Sequence, residues 1–501
     1  MIKIAALLTS VLFSAGSLAQ VSVKAVGNHR SGETIADNDT CRMIDIYLTQ
    51  LSVDKNFSGG LLIIKNGKKI FSKGYGWADK ARAIPFTPAT LASMGSITKA
   101  FTATAVMKLV EMGKLTLKDP LKKFFVTVPN DKATITIHQL LTHSSGFHEF
   151  LKEDKGDYEK IETAAFLNRA FAEPLAFTPG QKAVYTNVGM SLLAIIIEQV
   201  SGMDYEAFLK KNVLNPIGIT NIGYHFPVSQ PVTIARGYQN GKDWGTHPER
   251  FEEAGGGPYW NLKGNGGLEA SLDDMFLWAN AFTNHQVLSE QSIRQMFTGH
   301  VVEDGTNGQF LFGYGCNLSK SRRNTDVIGN GGSNGVYFAR MLRLPEEGLV
   351  LYMVTNESTA NANMVLPNVT QLYFQGTIAQ DAMVQQKFET LLAEKIYGIM
   401  TKDKPTDLAQ ALQKAQILVE DDMILLEVGQ KLMEEQKNEE AIALYQYYTK
   451  TFPQIVVAWN DLGDVYLRKD NKAEAGKCYR QALKLRPENA RAKNSLKKLG
   501  E

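Results

Sequence analysis

Apolar residues first gather in short runs separated by turn residues, and later in longer stretches with helical spacing. Gly60-Leu-Leu-Ile-Ile-Lys65 and Lys69-Ile-Phe-Ser-Lys73 flank Asn66-Gly67. Asn-Gly between two strand-forming runs predicts a hairpin with a two-residue type I′ turn. Residues 92–112 then predict a helix closed by Gly113. Its middle, Ala100-Phe-Thr-Ala-Thr-Ala-Val-Met107, has no polar face, so this helix should be buried on most sides. Residues 134–146 predict a short helix ended by a turn, and 187–202 a second strongly apolar helix. The stretch 224–267 is rich in Gly, Pro, Tyr and Trp, a composition of irregular binding loops. Helical patterns follow near 271–282 and 289–297, then strand-like runs at 310–318, 336–344 and 349–354. Strands, then helices, then strands predict an α+β fold in which N- and C-terminal strands share one antiparallel sheet.

Beyond about residue 371 Gly and β-branched residues thin out and helix formers dominate. Trp459, Leu462, Gly463, Tyr466, Ala475, Tyr479, Ala482 and Pro487 have the spacing of a tetratricopeptide repeat. Thirty-four residues earlier stand Leu425, Val428, Gly429, Leu432, Ala441, Tyr445, Tyr448 and Pro453. A Lys-rich helix over 490–499 suits the end of such a stack. Two repeats offer little concave surface, which leaves peptide capture and a structural or dimerising role both open.

Composition narrows the function class. With 501 residues and 44% hydrophobic content the chain holds more than one domain and a sizeable core. A net charge of +2 provides no field for nucleic acid or acidic lipid. Residues 1–19 combine a basic start, a short apolar core and small residues at Ser17 and Ala19, the pattern of a cleavable secretory signal. The expectation is a mature protein outside the cytoplasm, in the periplasm, with no later span long enough to cross a bilayer. Cys41, Cys316 and Cys478 are scattered and odd in number, against a disulfide framework, and the eight histidines include no His-Glu-x-x-His. His138, His143 and His148 are expected as structural histidines, with no metal site.

Ser96 and Lys99 stand three apart at the start of the buried helix, hence on one helical face. An ammonium so near an apolar interior must be paired or lose its proton, and a proton-sharing lysine beside a serine activates a nucleophile. Ser-x-x-Lys also occurs at Ser52 and Ser495, without an apolar helix behind it. Tyr185-Thr-Asn187 precedes the second apolar helix and offers a phenol and an amide; Tyr238-Gln-Asn240 and Tyr259-Trp-Asn261 share the tripeptide but not that context. Gly331-Gly-Ser-Asn-Gly335 matches the nucleophile elbow of α/β-hydrolases, but a strand-like run follows it where that elbow needs a helix.

Ser96-Ile-Thr-Lys99, Leu140-Leu-Thr-His-Ser-Ser-Gly146, Phe177-Thr-Pro-Gly180, Tyr185-Thr-Asn187, Gly266-Gly-Leu268 and Val354-Thr-Asn356, in this order, closely resemble the class C β-lactamase-like serine hydrolases. That family also contains D,D-peptidases, D-amino-acid peptidases and carboxylesterases. The resemblance covers residues 41–375. It implies an antiparallel sheet flanked by helices plus a helical subdomain, a cleft between them, and no cofactor. By the same resemblance Ser96 is the acylated nucleophile, Lys99 and Tyr185 share the proton work, and Asn187 positions Lys99 and substrate. The family's third motif, Lys or His, any residue, then Gly, falls on Asn330-Gly-Gly332, with Ser333 supplying a backbone N–H to the oxyanion hole. Asn330 replaces the usual cation and can offer only neutral hydrogen bonds to a substrate carboxylate. This favours an esterase- or peptidase-like hydrolase acting on an ester, amide or lactam over a β-lactamase or D,D-peptidase, and leaves a catalytically weak scaffold for cell-wall peptides or a protein partner as the rival class.

The expected organisation is a signal at 1–19, a linker at 20–40, the hydrolase domain at 41–375, a helical linker at 376–421, and an all-α tetratricopeptide-like domain at 422–501. Its partners should be a small-molecule or peptide substrate and, through the tail, a protein or a second copy.

Overall fold

The computed structural model describes residues 32–36, 38–55, 57–226, 232–239, 241–321, 323–357, 362–375, 393–405, 407–415, 417, 419, 422–487 and 489–500. The expected signal at 1–19, most of the stretch read as a linker, and 376–392 of the expected helical linker lie outside the described residues.

One sheet organises the N-terminal part. Its strands are β1 (Thr34–Ile35), β2 (Gly59–Lys65), β3 (Lys68–Tyr75), β4 (Val301–Val302), β5 (Leu311–Phe312), β6 (Asn317–Lys320), β7 (Asp326–Ser333), β8 (Phe338–Leu344) and β9 (Leu349–Thr355). Their spatial order is β1-β3-β2-β9-β8-β7-β6-β5-β4, with every neighbour antiparallel. The N-terminal hairpin thus pairs with the last strand, as the order of elements predicts. Its turn residues Asn66 and Gly67 have φ of 48° and 75°, the left-handed pair a type I′ turn requires.

Both sheet faces are covered, which is why β2 and β9 are continuously apolar. Leu62, Ile64, Tyr352 and Val354 point into a large core shared with helices α2 (Thr98–Glu111), α4 (Asn187–Ser201) and α5 (Leu272–Thr283). Leu61, Ile63, Leu351 and Met353 point the other way, against α1 (Asp39–Lys55) and α7 (Ala362–Gln375). Two shorter helices, α3 (Ile137–Leu141) and α6 (Glu290–Met296), complete the set that positions the site.

The central helix starts later than its apolar pattern suggests. Ala92–Ser93 is a strand paired with Glu269–Ala270, Gly95–Ile97 is a 3₁₀ turn, and α2 begins only at Thr98. Gly95, at φ 51°, and the bond from Met94 N to Leu268 O (2.9 Å) turn the chain there. From Phe101 to Met107 every residue is buried, as the missing polar face implies. Thr34–Ile35, inside the stretch read as a linker, forms the sheet edge.

In the tail α8 (Asp422–Glu434), α9 (Asn438–Thr451), α10 (Val456–Arg468), α11 (Lys472–Leu485) and α12 (Ala490–Leu499) follow one another. Gly429 faces the Tyr445 ring and Gly463 the Tyr479 ring; a Cβ would come within 2.5 Å and 2.7 Å of them. Equivalent small–aromatic contacts thirty-four residues apart are the physical content of the repeat. Among the described residues no helix is long and apolar enough to cross a membrane, and Cys41, Cys316 and Cys478 are free and buried.

Candidate active site

Ser96 sits in the 3₁₀ turn ahead of α2, half-buried, and Lys99 in the helix's first turn is 3% exposed. Lys99 Nζ lies 3.0 Å from Ser96 Oγ, 2.6 Å from the Asn265 carbonyl oxygen, and 4.7 Å from the centre of the Tyr185 ring. The Tyr185 phenol hydrogen-bonds Ser96. Two groups, Lys99 and Tyr185, the latter 89 positions beyond the serine in the chain, therefore converge on the Ser96 hydroxyl.

Burial pulls Lys99 down from 10.5 to about 7, against the opposing pull of the Glu149 and Asp157 carboxylates. A large fraction of Lys99 is then neutral near pH 7 and able to accept a proton. Burial moves Tyr185 the other way, holding its proton well above the usual phenol range even though the bond to Ser96 opposes this. Near neutral pH Lys99 is thus the group with a free lone pair to accept the Ser96 proton, while Tyr185 stays protonated. His143 is no competitor: burial first, and the Lys99 charge second, lower it to about 3. It packs on the Tyr185 ring at 4.9 Å and accepts from Thr186 N at 3.2 Å. His138 Nδ1 meets the Tyr314 hydroxyl at 2.8 Å, and His148 Nε2 the Pro174 carbonyl at 3.1 Å.

The end of β7 reaches the serine backbone to backbone. A Cβ on Gly332 would stand 2.0 Å from Met94 O and 2.5 Å from Ser96 N, and one on Gly95 2.7 Å from Ser333 N. The main-chain nitrogens of Ser96 and Ser333 are therefore neighbours, the arrangement an oxyanion hole needs. Ser333 itself is the last residue of β7, with strand β8 and not a helix following it, and its Oγ accepts from Gly335 N at 3.1 Å. The elbow geometry of an α/β-hydrolase is absent there.

Two expected contacts are made differently. Asn187 is the first residue of α4 and its N–H bonds Glu149 O at 3.0 Å, but its Oδ1 is buried without a partner. The Lys99 contact expected of Asn187 is made instead by the Asn265 carbonyl, which accepts from Lys99 Nζ at 2.6 Å. Asn265 is fixed in turn by bonds from its Nδ2 to Ser191 Oγ (2.9 Å) and Asn261 O (2.8 Å). Asn330 donates its amide to the Gly315 carbonyl and borders a small space behind α2 with Ile97 and Ala100. The structure therefore brings Ser96, Lys99, Tyr185, Gly332 and Ser333 together, with Asn187 beside them and Asn330 engaged behind the helix.

Sequence reasoning missed Glu269, which follows the Gly266-Gly-Leu268 motif. It is 0% exposed, neither carboxylate oxygen has a hydrogen-bond partner, and burial raises it to about 8. The Tyr158, Tyr337 and Tyr352 phenols feel its charge. A carboxyl that holds its proton more tightly folded than unfolded makes stability fall as pH climbs from its ordinary value of 4.5 to about 8. Glu269→Gln should remove that decline and gain roughly 3 kcal/mol on wild type at pH 7 relative to pH 4.5. Urea midpoints measured at both pH values check this; parallel pH curves for the two proteins would contradict it.

The family model described as Beta-lactamase matches residues 47–372, and one described as Tetratricopeptide repeat matches 456–489. PbpX of Bacillus subtilis (strain 168), by its name a candidate penicillin-binding protein, is 30% identical over 276 residues, 55% of this chain and 66% of that protein. Protein flp of Staphylococcus aureus (strain MRSA252) is 30% identical over 208 residues, 40% of this chain and 42% of that protein. The chain thus spans less than two thirds of these curated relatives. The octameric penicillin-binding protein homologue from Pyrococcus abyssi superposes with a TM-score of 0.59 at 27% identity, over 67% of this chain and 77% of that one.

Proposed function

The chain belongs to the beta-lactamase family, among relatives that are penicillin-binding-protein-like serine hydrolases, and on that premise we propose that it is an exported esterase- or peptidase-like hydrolase working through an acyl-Ser96 intermediate. The observation that carries this reading is the Ser96 hydroxyl held 3.0 Å from a lysine amine that burial brings to about 7. In the forward step Ser96 Oγ attacks the carbonyl carbon while its proton passes to Lys99. The oxyanion gathers against the Ser96 and Ser333 N–H groups, and Tyr185 relays a proton to the leaving oxygen or nitrogen. Water then enters by the same route in reverse, and the acid leaves.

The choice of a substrate without a carboxylate at the third motif rests on charge. Asn330 brings no cation and its amide is engaged by Gly315. The charges that Lys99 feels most are the Glu149 and Asp157 carboxylates, and those that Tyr185 feels are Glu149 and Glu303. A negative surround repels an anionic substrate and tolerates a neutral or cationic one. Relatives named for penicillin binding favour a second reading, recognition of β-lactams or cell-wall peptides. Export rests on the pattern of residues 1–19, and engagement of a protein partner or a second copy on the repeat at 456–489.

Intact mass after exposure to a fluorophosphonate and, separately, to a penicillin tests the proposal. The expected result is a single fluorophosphonate adduct on wild type, none on Ser96→Ala, and little or none with penicillin. A penicillin adduct of equal yield would move the assignment to the second reading. No adduct with either reagent on folded protein would replace the enzyme with a binding scaffold.

A further inference from the structure

A cavity of about 330 Å³ opens far from Ser96, at the end of the sheet where β7 begins. Ile328 lines it, five residues before Ser333 on the same strand, hence roughly 17 Å from the oxyanion hole at about 3.3 Å per residue. Its floor is the sheet, at Ile64, Ile328 and Val350, and its roof the end of α5 with α6, at Phe282, Ile293 and Phe297. The walls are mostly apolar, with Asn66, Asn280 and Thr283 as the neutral polar side chains on the lining, and the volume is in the range of small-molecule sites.

One cation intrudes on it. Arg343, on the core-facing side of β8, is 8% exposed and lines this space. Its Nη1 donates to the Ala279 carbonyl at 3.0 Å, and its guanidinium carbon stands 5.1 Å from the Phe282 ring and 5.9 Å from that of Phe297. Among the described residues it forms no ion pair, and no other charged side chain lines the cavity. The neighbouring Cys316 offers no counter-charge, since burial pushes its thiol up to about 12. A buried guanidinium without an anion is costly, and aromatic faces compensate it only in part. The fork of a guanidinium matches a carboxylate through two parallel hydrogen bonds. A single cation suits a monoanion, and the nearby C-terminal end of α5 disfavours a second negative charge.

We infer that this cavity is a binding site for a medium-chain aliphatic monocarboxylate, its carboxylate paired with Arg343 and its hydrocarbon chain between the sheet and Phe282, Ile293 and Phe297. The site is separate from Ser96 and stands whether or not Ser96 is a nucleophile. Thr283, exposed at the rim, marks its mouth.

Titration calorimetry of the full chain with octanoate tests it, with octylamine and octan-1-ol as probes of equal length and different charge. Octanoate should bind with a stoichiometry of one, and octylamine should not bind. Arg343→Met, which keeps the side-chain bulk, should weaken octanoate at least about tenfold, the scale of a hydrogen bond to a charged group. Thr283→Trp, which closes the mouth and leaves the cation in place, should weaken it as well and carries the test if Arg343→Met does not fold. Absence of saturable octanoate binding to wild type, equal binding of octylamine, or unchanged affinity in a folded variant of either kind overturns the assignment.

Discussion

Lys99→Ala is expected to slow acylation by at least about two orders of magnitude, the usual contribution of a positioned acid or base, and to abolish its dependence on pH near 7. The sign follows from the direction of the shift. Burial lowers Lys99 from 10.5 to about 7, so the amine is protonated below that value and neutral above it. Only the neutral form accepts the Ser96 proton across the 3.0 Å contact. The burst-phase acylation rate with an activated ester should therefore rise with pH, with a midpoint near 7, and level off above it in wild type. The variant should be slow and flat across the same interval. A wild-type midpoint near 10, or near-normal acylation in Lys99→Ala, removes Lys99 from the mechanism. Tyr185 predicts a contrast: because its proton is held above the usual phenol range, Tyr185→Phe should lower the plateau while leaving the midpoint in place.

Much of this machinery is visible in the chain because local chemistry dictates it. Asn66-Gly67 fixes a hairpin through left-handed φ values that few other residue pairs adopt. The absence of a polar face from Phe101 to Met107 fixes a buried helix, and with it the desolvation that perturbs Lys99. What stays hidden depends on the tertiary approach of main-chain atoms. The Asn265 carbonyl that holds Lys99 has no side-chain signal, since any residue at that turn presents the same oxygen. The side-chain motif therefore pointed to Asn187, two positions from Tyr185. Asn330 is legible as a departure from the family pattern, but its bond to Gly315 depends on how residues 313–316 pack on α2. The helix start at Thr98 is hidden for a similar reason. The apolar period runs back to residue 92, and only the pairing of Ala92–Ser93 with Glu269–Ala270 decides that those residues are strand. Arg343 and Glu269 lie in strands where alternation allows an outward side chain, and nothing local marks either as buried.

Gly332→Ala is expected to lower kcat by a factor of about 10² to 10³, the loss that follows removal of one oxyanion-hole donor. The added methyl would stand 2.0 Å from Met94 O and 2.5 Å from Ser96 N, both backbone atoms that no rotamer change can clear. The end of β7 must then retreat from the serine turn, carrying the Ser333 N–H away from the Ser96 N–H. The neighbouring glycine supplies the control: a Cβ on Gly331 meets nothing within 4 Å, and its φ is not in the left-handed region. Gly331→Ala should therefore keep wild-type stability and most of its kcat, although it lies one residue away on the same exposed strand end. Because the contact holds strand to helix, Gly332→Ala should also lower Tm. Rates are accordingly compared at a temperature where circular dichroism shows both variants folded. Retention of more than about a tenth of kcat in folded Gly332→Ala would mean that Ser333 does not donate to the oxyanion, whereas equal losses in both variants would assign the effect to β7 as a whole. A large loss confined to Gly332 would identify the close approach of two backbones, and not any side chain of the third motif, as what completes the site in a chain that carries Asn330 there.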